Sequence, residues 1–320
     1  MMFFFSVLCA FVTTFLLLVL ILRPQSKSFL ALDHPNSRSL HTKPTLRSGG
    51  LGIMAGVIVC WILFNDFIPW LILLIFFICL SLIDDFKGLP AKFRLCVHLI
   101  ISLIFLNFYL PEMTWFYKAV SVFGITWMVN LYNFMDGSDG LAGGMALFGF
   151  TAYSIVAYLA GDIQISILSA SIAISSLVFL FFNFNPAKIF MGDVGSIPIG
   201  FLAASIGLIG YQQQLWPCWF PIIVFSPFIV DATLTLLKRL FKGEKIWQAH
   251  RSHYYQRLVQ MGLGHRKTAL LEYCLMAFMA ASALLGLYHS AIVASLFVCW
   301  IAIYGLIIWI IDHKWRNFSA

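Results

Sequence analysis

Residues 119–160 read AVSVFGITWMV, then NLYNFMDGSDGLAGG (Asn130–Gly144), then MALFGFTAYSIVAYLA. The outer runs are apolar enough for lipid. The segment between them carries two asparagines, two aspartates and four glycines. Ionisable groups at membrane depth are costly and usually face a cavity or one another. The stretch therefore reads as two membrane helices joined by one wall of a polar cleft.

The whole chain agrees. Of 320 residues, 61% are hydrophobic and only 10% charged; mean hydropathy is +0.92. A soluble domain carries about 25% charged residues, so a soluble class is excluded and no nucleic-acid partner is expected. A bilayer core takes roughly 20 apolar residues per helix. Eleven candidate spans follow, near 2–22, 49–65, 68–83, 95–110, 116–132, 141–160, 163–182, 195–211, 217–237, 269–287 and 290–311. Asn65-Asp66, Gly161-Asp162 and Tyr288-His289 read as tight turns between antiparallel helices. The first run has no basic residue before it and no small-residue cleavage site after it, so it reads as a retained helix. The seven cysteines lie scattered in or beside apolar runs without a CxxC pair, as packing residues do.

Alternating the spans across a bilayer places every Lys and Arg except Lys118 on one side. By the positive-inside rule that side is cytoplasmic. The expected fold is an all-α polytopic bundle of about 11 transmembrane helices, N-terminus periplasmic and C-terminus cytoplasmic. It forms one domain over 1–320, with cytoplasmic loops near 23–48, 84–94, 130–140, 183–195 and 238–268. The expected location is an inner (cytoplasmic) membrane.

Four polar clusters fall on the cytoplasmic face: SLIDDFKGLPAKFRL, NLYNFMDGSDGLAGG, NFNPAKIFMGDVGS and HRSHYYQRL. Asp84-Asp85 also reads as a plain helix end, but acids there oppose the helix dipole, and adjacent carboxylates repel unless a cation is near. Asn133, Asp136 and Asp139 share a face if their helix continues; the Asp-Gly pairs alternatively make a simple turn. Asp193 lies between glycines that let backbone approach a ligand, and Ser196 is expected to begin a helix whose N-terminus suits phosphate. His250 and His253 are half of a zinc site without further ligands in reach. With Arg251, Arg257 and Lys245 they read instead as an anion-binding loop. Carboxylates with an amide oxygen suit magnesium or manganese. Basic side chains and glycine turns suit phosphates. Together they point to metal-dependent phosphoryl transfer onto a lipid, which needs positioning and charge neutralisation more than covalent catalysis. A midplane carrier and a non-catalytic lipid scaffold are the other readings; metal-dependent turnover separates them.

At these clusters, and over Asp33–Ile53 (DHPNSRSLHTKPTLRSGGLGI), the sequence resembles the polyprenyl-phosphate N-acetylhexosamine-1-phosphate transferases of glycosyltransferase family 4 type. MGDVGS and HRSHYYQRL look closer to members that initiate O-antigen than to the peptidoglycan branch. The resemblance implies attack by undecaprenyl phosphate on a UDP-N-acetylhexosamine, with UMP released. It implies Mg²⁺, or Mn²⁺, on Asp193 with Asn133. Asp84 and Asp85 would lie near the lipid phosphate, and Asp136 and Asp139 would shape the nucleotide-sugar site. Arg94 would sit near the phosphates, with Lys188 a further candidate there. His250, Arg251 and His253 would hold the diphosphate or sugar. Family members are often homodimers.

Overall fold

The computed structural model describes residues 2–23, 32–33, 35, 40–41, 43–63, 68–245, 248 and 250–319. Nearly all of them are helical. In chain order the helices are α1 (Met2–Ile21), α2 (Gly49–Leu63), α3 (Ile68–Lys87), α4 (Ala91–Tyr109), α5 (Trp115–Phe134), α6 (Leu141–Leu159) and α7 (Ile163–Asn183). They continue with α8 (Asp193–Gln212), α9 (Trp219–Val224), α10 (Ser226–Phe241), α11 (Tyr254–Leu258), α12 (Gly264–Tyr288) and α13 (Val293–Ser319). Among the described residues, seven helical stretches are long and apolar enough to cross a membrane. The chain is a multi-pass membrane protein.

Helix α8 is the axis of the bundle. It packs against α2, α3, α5, α6, α7 and α9, and residues Asp193–Phe201 are all buried. Lipid gives apolar side chains no reason to leave it, so membrane helices associate through close backbone approach and hydroxyl contacts. Both are present. A Cβ on Gly200 would lie 2.8 Å from Met128 O and 2.9 Å from Val129 Cα, which fixes α8 against α5. Where α1, α2 and α7 meet, Thr14 Oγ1 donates to Ser175 Oγ at 3.0 Å and Trp61 Nε1 to Ser171 Oγ at 3.0 Å. Apolar side chains on α1, α4, α5 and α13 stay exposed, as faces toward lipid do.

Three expectations change. The span near 217–237 is broken: α9 ends at Val224 and α10 begins at Ser226. Pro227 has no N–H to continue the ladder, and the Ser226 hydroxyl takes the Ile223 carbonyl instead, at 2.6 Å. The fold is not purely α. Strands β1 (Leu32–Asp33) and β2 (Thr45–Leu46) pair antiparallel, and Leu46 bridges to Ile189 ahead of α8. Helix α8 begins at Asp193 rather than Ser196, after Gly192 at φ +72°. The turn at Gly161-Asp162 forms as expected, with Asp162 Oδ1 accepting from Ile165 N at 2.8 Å. Tyr288 ends α12, and a short 3₁₀ turn leads into α13. The Asn65-Asp66 turn and most of 24–39 lie outside the described residues.

Candidate active site

Helix α5 stops at Phe134, so Asn133, Asp136 and Asp139 do not share a helical face. The turn reading holds: residues 135–140 are turn and irregular backbone, and Gly140 at φ +79° precedes α6. The three side chains part company. Asn133 Oδ1 accepts from the Ser196 hydroxyl of α8 at 2.7 Å. Asp136 Oδ2 accepts from Gly192 N at 3.2 Å. Asp139 turns away, accepting from Asn185 Nδ2 at 2.7 Å and Ala187 N at 3.1 Å, which anchors the loop ahead of α8. His265, at the start of α12, bonds Ser138 Oγ through Nδ1 at 2.8 Å.

Asp193, the first residue of α8, is the centre. A carboxylate there is favoured by the helix dipole. It is nearly buried and sits between two guanidinium groups. Arg47 bonds its Oδ1, and Arg94 Nη1 reaches its Oδ2 at 3.2 Å. Arg94 Nη1 also donates to Asp84 Oδ2 at 2.6 Å, and Asp84 Oδ1 accepts from Leu89 N. Arg47 Nη1 lies 3.7 Å from Asp85. Asp84 and Asp85, past the apolar run of α3, thus join Asp193 through two shared arginines.

The field of the cluster shows in its titration. Burial pushes Asp85 up to about 6, against the pull of Arg47 and with the push of Asp193 and Asp84. Burial holds Asp136 well above the usual carboxylate range, again opposed by Arg47 and reinforced by Asp193. Burial works against the charge on Arg47, but Asp193 and Asp85 outweigh it, and the guanidinium is held above its ordinary value. The site is short of positive charge for the carboxylates it gathers.

The histidine loop joins from the other side. Asp231 of α10 accepts from Tyr254 N and Tyr255 N, each at 2.9 Å, and faces His253 Nδ1 at 3.3 Å. One carboxylate therefore caps α11 and orients a buried imidazole, leaving its Nε2 for another partner. His253 packs against His250, ring centroids 4.8 Å apart and planes tilted by 32°. Tyr255 OH donates to Phe134 O at 3.1 Å, tying the loop to the end of α5. Lys188 and Arg251 are exposed, and among the described residues neither has an ion-pair partner.

Among the described residues, no three His, Cys, Asp or Glu side chains converge as a ready-made metal cage, and His250 and His253 gain no zinc partners. The donor set around Asp193 nonetheless fits a hard cation in kind: carboxylate and amide oxygens, with two arginines already resident on the central acid. Sequence reasoning missed Arg47, Asp231 and Tyr255. Arg47 lay in the quoted 33–53 segment and Asp231 within the expected 217–237 span; nothing local gave either a partner.

The chain is 32% identical over 321 residues to a Bacillus subtilis (strain 168) protein named as a probable undecaprenyl-phosphate N-acetylglucosaminyl 1-phosphate transferase, covering 93% of this chain and 89% of that protein. The model for glycosyl transferase family 4 matches residues 67–211. The chain belongs to glycosyl transferase family 4. Two proteins named as phospho-N-acetylmuramoyl-pentapeptide-transferases are also similar to this family 4 chain. The Chlorobium phaeobacteroides (strain BS1) protein is 31% identical over 67% of this chain and 72% of its own length. The Staphylococcus saprophyticus protein is 30% identical over 68% and 77%. The matched 67–211 stretch holds Asp84, Asp85, Arg94, Asp136 and Asp193, while Arg47 and the histidine loop lie outside it.

Proposed function

We propose that this family 4 chain transfers an N-acetylhexosamine-1-phosphate from a UDP-sugar to undecaprenyl phosphate. An oxygen of the lipid phosphate bonds to the sugar-bearing phosphorus. The bond from that phosphorus to the bridging oxygen breaks, and UMP departs with it. The product is undecaprenyl-diphosphate-sugar, which we place at the first membrane step of O-antigen or a related envelope polysaccharide.

One observation carries the reading: Asp84 and Asp85 of α3 and Asp193 of α8 meet around Arg47 and Arg94 at the N-terminus of the central helix. Such a site can hold a diphosphate and balance charge, and little covalent chemistry is then required. The relatives' names support the substrate class. Mg²⁺, or Mn²⁺ in its place, would be held by Asp193 with Asn133 and would neutralise charge on the diphosphate oxygens. Arg94, paired to Asp84, would bind phosphate oxygens. A phosphate monoester has its second pKa near 6, so the acceptor is largely dianionic at neutral pH, and Asp84 orients it or receives a residual proton. His253, held through Asp231, would present Nε2 to the donor, beside His250. In this reading all eleven candidate segments span the membrane, the N-terminus is periplasmic, the C-terminus cytoplasmic and the site cytoplasmic.

The test offers purified protein, undecaprenyl phosphate and Mg²⁺ a panel of UDP-N-acetylhexosamines and identifies the lipid product by mass. A lipid-diphosphate-sugar with one donor establishes reaction and substrate together. No product with any donor, from folded protein, rejects the transferase reading.

A further inference from the structure

Arg47 is rooted with unusual care for a loop residue. Phe190 N donates to Leu46 O, Gly49 N to Phe190 O and Gly50 N to Met191 O, each at 2.8 Å. The backbone on both sides of Arg47 is thus laced to the residues that lead into Asp193. Gly192 is needed there: a Cβ would lie 2.6 Å from the Arg47 carbonyl, and its φ of +72° is left-handed. The lacing spans 146 residues of sequence between Arg47 and Asp193.

The two partners are unequally enclosed. The Asp193 side chain is 6% exposed and that of Arg47 is 35% exposed. Asp193 therefore sits at the floor and Arg47 has an open side. Arg94 is placed otherwise, bonding Asp84 at 2.6 Å and Asp193 only at 3.2 Å. A divalent cation on Asp193 and the Arg47 guanidinium on Oδ1 compete, since two cations packed against one small carboxylate repel. The guanidinium cannot escape by losing its proton. It must rotate, and its planar fork matches phosphate oxygens.

Resting on the transferase reading above, we propose that Arg47 is a handover residue. It neutralises Asp193 while no divalent cation is bound, and it turns to the donor's diphosphate when the cation takes Asp193. The two roles have opposite signs. Removing Arg47 frees Asp193 and tightens metal binding, while it weakens diphosphate binding. A residue that merely braced the loop would weaken both.

The experiment uses the full chain in detergent and needs no turnover. Mn²⁺ is titrated alone, free ion being read by electron paramagnetic resonance. UDP is then titrated at saturating Mn²⁺, with UMP as the comparison lacking the second phosphate. Arg47→Gln is expected to lower the Mn²⁺ half-saturation concentration by about tenfold, as when a competing state that holds nine-tenths of the protein is removed. It is expected to weaken UDP by about tenfold or more, and UMP less. Should Arg47→Gln fail to fold, Arg47→Lys keeps the charge without the fork and shows the same signs at smaller size. Unchanged or weaker Mn²⁺ binding overturns the handover, as does unchanged UDP binding. Parent protein that binds Mn²⁺ but no UDP overturns the transferase reading as well, so the two failures are distinguishable.

Discussion

The two ends of α8 make opposite kinds of site. At its start, Asp193 is crowded by Arg47, Arg94 and the acids those arginines share. Twenty residues later, about 30 Å along the axis, its last turns open on a cavity of about 510 Å³. Tyr211, Trp216, Leu287 and Tyr288 line that cavity, and it has no charged side chain in its wall. A hollow of that size could admit a small molecule. Chemistry favours the near end, because transferring a phosphoryl group is chiefly a matter of placing charge. An open apolar hollow beside lipid needs no ligand to explain it. Charges gathered from three helices and a laced loop, against the cost of placing them at a membrane boundary, do need an explanation.

Five substitutions break or sharpen this contrast. Asp193→Asn removes the central acid. UMP release should fall by about 10²–10³, the several kcal/mol assigned to a bound cation, with the thermal midpoint little changed. Arg94→Ala should lower kcat/KM by about 10- to 100-fold, the range for a charge-assisted hydrogen bond, and leave Asp84 with Leu89 N but without the Arg94 guanidinium. Asp231→Asn touches the site only through His253 and the α11 cap. A loss of about tenfold in kcat is expected there. His253→Ala in the Asp231→Asn background should add little further, since both act on one imidazole; an additive double variant would separate Asp231 from the site. Tyr288→Ala at the far end should change UMP release less than about twofold. A large loss there would return the cavity to consideration.

Much of this was legible along the chain, for physical reasons. Each polar cluster is local: a helix end, a turn and a carboxylate within a dozen residues, set off sharply by apolar flanks. NLYNFMDGSDGLAGG announced a boundary at depth, though only the structure shows α5 ending at Phe134 and Asp139 serving the Asn185–Ala187 loop rather than the cluster. What stayed hidden is pairing across distance. Arg47 was one more loop cation until Leu46 and Ile189 bridged. Asp231 was one acid inside an apolar span until two backbone N–H groups and an imidazole converged on it. The break between α9 and α10 was written in Pro227, but hydropathy smoothed over it because the flanking residues are uniformly apolar.

The most direct test of the central claim is the initial rate of UMP release by the parent protein and by Asp193→Asn, measured in parallel across a Mg²⁺ titration with undecaprenyl phosphate and a UDP-N-acetylhexosamine. The account predicts release by the parent that rises with Mg²⁺, is abolished by a chelator, and is about 10²–10³-fold lower in the variant at every Mg²⁺ concentration. Undiminished release by Asp193→Asn, or release by the parent that ignores the chelator, would contradict it.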